Sequence, residues 1–195
     1  MSEVRELSTI PSEDECIHIL IEGGVRSRVV GHVCTVMRVA EAIGTRCGAD
    51  MPLVRAGALL HDLGRGRTHG IRHGVEGAER ARELGLPEAL VLIIQKHVGA
   101  GITPENAIEL GLPPLDYIPS TLEEKIVCHA DNLVDDGKVI TSHEAYLDFA
   151  GKGLEEQGRR MLEMHHVLSE ACGVDIDEIT PSIDLRGRGP CAEYL

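Results

Sequence analysis

Ala58-Leu59-Leu60-His61-Asp62-Leu63-Gly64-Arg65 is the stretch on which the reading of this chain turns. An apolar helical run ends there in two neighbouring side chains that can both bind a metal, and a glycine follows within two residues. Adjacent residues on a helix point roughly 100° apart, yet both can reach one ion where the last turn opens toward it. A His beside an Asp at the end of a buried helix is costly unless something pairs with them. A polar helix cap would account for the dipeptide taken alone, so the surrounding chain has to decide.

Upstream, Asp50 and Pro52 start this helix, and Leu53, Ala56, Gly57, Leu60 and His61 share one stripe. A longer helix is predicted before it, over about 25–46, with Val29, Val33, Val36, Val39, Ala40 and Ile43 at helical spacing and His32 inside it. Further back, Ser12 and Glu15 have the spacing of a capping box and begin a short helix that Gly23-Gly24 ends. Residues 1–11 are polar and read as loose.

Downstream, residues 63–74 hold four glycines and no apolar period, so they read as a mobile loop carrying Arg65, Arg67, His69, Arg72 and His73. Helices are expected over 75–84 and 87–97, with His97 closing the second. A stretch broken by Gly and Pro, 99–120, holds at most a short helix over 104–110. Thr121 caps the next helix, whose buried stripe is Leu122, Ile126, Val127, Ala130, Leu133 and Val134, with Asp131 beside it. Helical segments near 144–150 and 154–171 precede a weakly patterned end, 174–195, expected to wrap the surface. No strand run, repeat or dividing linker stands out, so the chain reads as all-α and as a single domain over 1–195.

Composition narrows the partners. The formal charge of −13 opposes non-specific binding to nucleic acid or docking on an anionic membrane, though not a small phosphorylated substrate. Only 2% of residues are aromatic, which leaves Tyr117, Tyr146, Phe149 and Tyr194 and makes a base-stacking platform a poor expectation. The six cysteines include no Cys-x-x-Cys pair and are expected to be mostly reduced and buried, Cys34 and Cys128 as packed helix residues. With no apolar run long enough for a leader or a span, a cytoplasmic protein is expected. Oligomeric state is not legible.

His32, His61, Asp62, His73, His97 and Asp131 lie on or beside successive helices. Imidazole with carboxylate suits Fe, Mn, Zn, Ni or Co better than Ca. Any one of these histidines alone would pass as a packed or surface residue; the ordered set is harder to dismiss. The order His…His-Asp…His…His…Asp resembles the HD-domain superfamily of metal-dependent phosphohydrolases. Leu59-Leu60-His61-Asp62-Leu63-Gly64-Arg65 is similar to its LLHDIGK signature, with Leu for Ile and Arg for Lys. Gly31-His32-Val33, the segment from His73 to Glu79, Ile94 to His97, and Lys125 to Leu133 resemble its other elements.

The resemblance covers about 25–136 and implies a compact helical bundle, with 137–195 as a helical C-terminal extension. It implies that His32, His61, Asp62 and Asp131 hold a first divalent metal, and that His73 and His97 add a second, with Asp62 between the two. Fe, Mn, Ni, Co and Zn all fit, and Mg is admissible. The activity implied is hydrolysis of a small phosphate ester or anhydride (a nucleotide, a dinucleoside polyphosphate or a cyclic phosphodiester) through metal-activated water. Asp62 and Arg65 take the catalytic roles, and Arg65, His69 and Arg72 are candidates for substrate phosphate. A di-iron oxygenase of the same superfamily and a non-enzymatic metal- or nucleotide-binding sensor are the alternatives. His18, His143, His165 and His166 read as surface or packing residues, and His129 should point away from Asp131.

Overall fold

In the computed structural model, residues 9–195 are described; the expectation for residues 1–8 lies outside them. Ser12 and Glu15 form the reciprocal capping box, and α1 runs Glu13–Glu22. Helix α2, Ser27–Cys47, ends at Gly48 with φ +72°, a left-handed conformation that glycine adopts without a Cβ penalty. Asp50 accepts a hydrogen bond from the Leu53 N–H to start α3, Met51–Leu60. The helices α4 His73–Glu83, α5 Glu88–Lys96, α6 Pro104–Glu109 and α7 Leu122–Asn132 follow. The C-terminal part adds α8 Ser142–Gly151, α9 Glu155–Cys172 and α10 Ile176–Ile179. The fold is all-α, as expected.

One apolar cluster runs through almost all of these elements. Leu20 of α1, Val33 and Val36 of α2, Leu59 and Leu60 of α3, Ile94 of α5, Ile126 of α7, Met161 and Leu168 of α9 and Ile176 of α10 are all buried in it. The segment after 137 therefore belongs to the same core as the family-like part and is not an appendage on its surface. Small residues set the closest approach. A Cβ on Gly57 would lie 2.9 Å from an Ile93 methyl, so α3 and α5 pack tightly just ahead of His61.

Three expectations need correction. Residues 63–74 are not one mobile loop: Leu63–Gly66 form a tight 3-10 turn with Leu63 and Gly64 buried, and α4 begins at His73 itself. Chain with no apolar period can still be fixed when its glycines press against a neighbouring helix. A two-stranded hairpin, β1 Val134–Asp135 and β2 Lys138–Val139, follows α7. Its turn is Asp136-Gly137, with φ +45° and +77°, the residue pair that suits such turns.

The cysteines are not mostly reduced, and Cys34 is not merely packed. Cys34 is bonded to Cys191 and Cys47 to Cys172, leaving Cys16 and Cys128 as buried thiols. Both bonds link α2 to the C-terminal part across 157 and 125 residues, a pairing that no local spacing reveals. His165 is a packing residue, as expected, and a buried one. The His129 ring lies 3.0 Å from it, Nε2 to Nδ1, and its own Nε2 meets Asp175 Oδ1 at 3.0 Å, a polar chain joining α7, α9 and the cap of α10.

Candidate metal centre

Six side chains converge where α2, α3, α4, α5 and α7 meet, and the fold places each by its position on a helix. His32 projects from the middle of α2 and Asp131 from the last turn of α7, with His32 Nε2 2.8 Å from Asp131 Oδ1. His61 is the C-cap of α3, His73 the first residue of α4, and His97 the C-cap of α5. Asp62 follows His61 directly, in the bend that leads into the 3-10 turn. It is 3.4 Å from His73 Nε2, 3.7 Å from His97 Nε2 and 3.9 Å from His61 Nε2. All six expected residues are thus brought together.

Their hydrogen bonds fix which nitrogens face inward. His61, His73 and His97 each donate Nδ1–H to a backbone carbonyl three residues earlier: Ala58, Gly70 and Ile94, at 2.8, 2.8 and 2.7 Å. A ring that donates through Nδ1 in its neutral form carries a bare lone pair on Nε2. The Nε2 of His61 is buried without a hydrogen-bond partner. The Nε2 atoms of His73 and His97 face each other at 2.9 Å. Two lone pairs at that distance repel unless a cation or a proton joins them. Burial and the neighbouring His97 hold His73 largely neutral, its pKa down at about 4.

The carboxylates supply the opposite charge. Burial acts against ionisation of Asp62 and Asp131, but the surrounding imidazoles outweigh it and keep both below the usual carboxylate range. Burial also opposes a charge on His61, yet Asp131 and Asp62 overcome it and lift its pKa to about 9. The same field that draws a proton onto His61 would draw a cation. Three overlapping groups can hold an ion: His32, His61 and Asp62; His61, His97 and Asp131; and Asp62, His73 and His97. Asp62 belongs to the first and the last, and so sits between two potential positions. Four imidazoles, one with a buried nitrogen that has no partner, and two ionised carboxylates are a donor set that fits divalent transition metals.

The candidate phosphate ligands divide. Arg65 gives Nε–H to Asp62 Oδ1 at 3.0 Å and Nη1–H to the His69 carbonyl at 2.7 Å, so it braces the aspartate while lining the cavity. His69 lines the cavity too. Arg72 does not reach it: its guanidinium turns to the Gly111 carbonyl and Glu76. Arg67 is paired with Glu83. The cavity measures about 920 Å³, and its walls include residues not singled out in the sequence. Arg26 and Arg28 stand at its rim, the latter paired with Asp136 on the hairpin turn at 2.8 Å, while Leu185 and Tyr194 come from the C-terminal end.

The HD domain family profile matches residues 29–136, a span that holds all six side chains. The chain belongs to the HD-domain family. The motifs of this HD domain thus lie in the superfamily of metal-dependent phosphohydrolases that they resemble. Among its relatives is a tRNA (cytidine(56)-2'-O)-methyltransferase of Thermoplasma volcanium, 42% identical over 90% of this chain and 52% of that protein. Another is a ribonuclease Y of Thermobifida fusca, 37% identical over 35% of this chain and 14% of that protein. The chain spans about half the length of the first relatives it matches. The HD domain of the L. monocytogenes phosphodiesterase PgpH, solved with cyclic-di-AMP, shares the fold at a TM-score of 0.50 and 17% identity, over 82% of this chain and 96% of that one. No helix among the described residues is long and apolar enough to cross a membrane.

Proposed function

We propose that this HD domain hydrolyses a small phosphate ester or anhydride at a two-ion centre held by His32, His61, Asp62, His73, His97 and Asp131. The observation that carries the reading is the convergence of four imidazoles and two carboxylates, with His61 Nε2 buried without a hydrogen-bond partner and the Nε2 atoms of His73 and His97 2.9 Å apart. Divalent ions there would supply Lewis acidity and an activated water. The chain's own residues do the rest. The three backbone carbonyls lock the imidazole tautomers, an outer contact that orients ligands in metal sites. Arg65 fixes Asp62 and brings positive charge to the cavity floor. His69, Arg26 and Arg28 give a local basic balance that draws a phosphorylated molecule into an otherwise acidic chain.

The names of the relatives are consistent with phosphodiester cleavage in two cases, a ribonuclease and a phosphodiesterase. The methyltransferase name belongs to a protein about twice as long, and cation-binding imidazoles and carboxylates do not account for methyl transfer. We read the chain as one domain. A cytoplasmic setting is part of the same proposal, and there the two disulfides meet a reducing thiol pool.

The test is metal analysis of the purified protein, then a hydrolysis panel of nucleotides, dinucleoside polyphosphates, cyclic dinucleotides and a short oligoribonucleotide. Stoichiometric metal with no hydrolysis anywhere in the panel would refute the reading. Metal uptake itself should depend on pH. In the ion-free protein His61 is protonated at pH 7 because its pKa is about 9, whereas His73, at about 4, has already lost its proton. An ion must therefore displace a proton from His61, and apparent affinity should rise about tenfold per pH unit between pH 7 and 9 before levelling. Competition titrations with a chelator read this slope, and a flat profile would contradict it.

A further inference from the structure

The cavity beside the metal centre is lined by two kinds of residue. Asp62, Arg65, His69 and Arg26 are charged or polar, whereas Val29 of α2 and Leu185 and Tyr194 of the C-terminal segment are apolar or aromatic. Of the four aromatic residues in the chain, Tyr194 alone lines this cavity. Tyr117 is buried in a small separate cluster with Val75 and Ile102, and Tyr146 and Phe149 pack on Gly158 of α9.

The position of Tyr194 is fixed through its neighbours. Cys191 is fully buried and bonded to Cys34, two residues beyond His32 on α2. The Tyr194 N–H donates to the Cys191 carbonyl at 3.1 Å. The Tyr194 carbonyl oxygen packs on Gly31, where a Cβ would come within 3.1 Å of it. The segment is therefore tied to the same helix that carries His32, one residue before and two residues after that ligand.

We propose that Tyr194 is a specificity-determining residue: its ring forms the flat wall against which the aromatic base of a nucleoside phosphate stacks, and the Cys34–Cys191 bond positions it. This rests on the phosphohydrolase reading for the phosphate end and adds the recognition of the organic end. One ring suffices for one base, and stacking on it is sequence-tolerant because every base has a π-face. Leu185 and Val29 add apolar lining, and Arg65 and His69 are the lining groups that would hold the phosphate.

The experiment compares binding of AMP with that of ribose 5-phosphate to the metal-loaded protein by calorimetry. The two probes differ by the base alone. Wild-type protein should bind AMP about tenfold more tightly. Tyr194→Ala should abolish that ratio, and Tyr194→Phe, which keeps the ring, should retain it. Cys191→Ser should also reduce the ratio, whereas Cys172→Ser, which breaks the other disulfide, should leave it intact and so separates positioning from a general loss of stability. Where hydrolysis is measurable, Tyr194→Ala should raise KM for nucleotides with little change in kcat. No preference for AMP in the wild type, or a preference that survives Tyr194→Ala, overturns the proposal. A ratio unchanged in Cys191→Ser overturns the role of the disulfide. Failure of the phosphohydrolase reading shows separately, as absence of turnover across the substrate panel whatever the binding ratio.

Discussion

Replacing Asp62 with asparagine should leave a folded protein that has lost most of its metal and nearly all hydrolysis, a fall of about a thousandfold, or about 4 kcal/mol in the barrier. Asparagine keeps the shape of the side chain but removes the charge on which the site is centred. Asp62 lies within 3.9 Å of three imidazoles and accepts from Arg65. Without its carboxylate the group of His73 and His97 keeps no anionic donor, and the group of His32 and His61 has only Asp131 left. The fold should survive because burial opposes the Asp62 charge in the first place. Elemental analysis, circular dichroism and hydrolysis rates read the three consequences. A variant with full metal content and wild-type turnover would remove Asp62 from the centre.

The largest effect on stability should come from Gly64→Ala, about 3 kcal/mol of destabilisation. A Cβ at Gly64 would overlap the His73 carbonyl oxygen and lie 2.7 Å from the Gly77 nitrogen. Both obstacles are backbone atoms of α4, so no side chain can swing aside to make room. The turn after Asp62 would have to back away from α4, separating His73 from Asp62 across what is now 3.4 Å. Urea unfolding should show a lower midpoint, and metal bound through His73 and His97 should be lost in parallel. An unchanged midpoint would mean that this turn does not clamp α4.

The candidate site was legible in the sequence because its residues are chemically distinctive and end buried helical stripes. His61, His97 and Asp131 fall at or next to helix ends that the apolar periodicity locates within a residue or two. The fold class followed from the same periodicity. What could not be read depended on contacts between distant segments. Arg72 lies as close in sequence to the site as His73 does, yet its side chain leaves toward Gly111, a direction set by tertiary packing. The C-terminal end has little periodicity, so nothing in it announced that Tyr194 lines the cavity. The hairpin did have a local signal in Asp136-Gly137, but its strands are only two residues long and show no alternation to support it.

The two disulfides also shape the chain when it is not folded. Cys47–Cys172 lies inside Cys34–Cys191 in sequence, so the oxidised chain is a pair of nested rings that do not cross. Closing the outer ring alone would lower the entropy of the denatured chain by about 5 kcal/mol on the loop-closure estimate, and less once the inner ring exists. His61, Asp62, His73, His97 and Asp131 all belong to the inner ring, and His32 lies outside it. An unfolded but oxidised chain therefore keeps five of the six candidate ligands within one closed circuit, where their search for each other is shorter than in a linear chain.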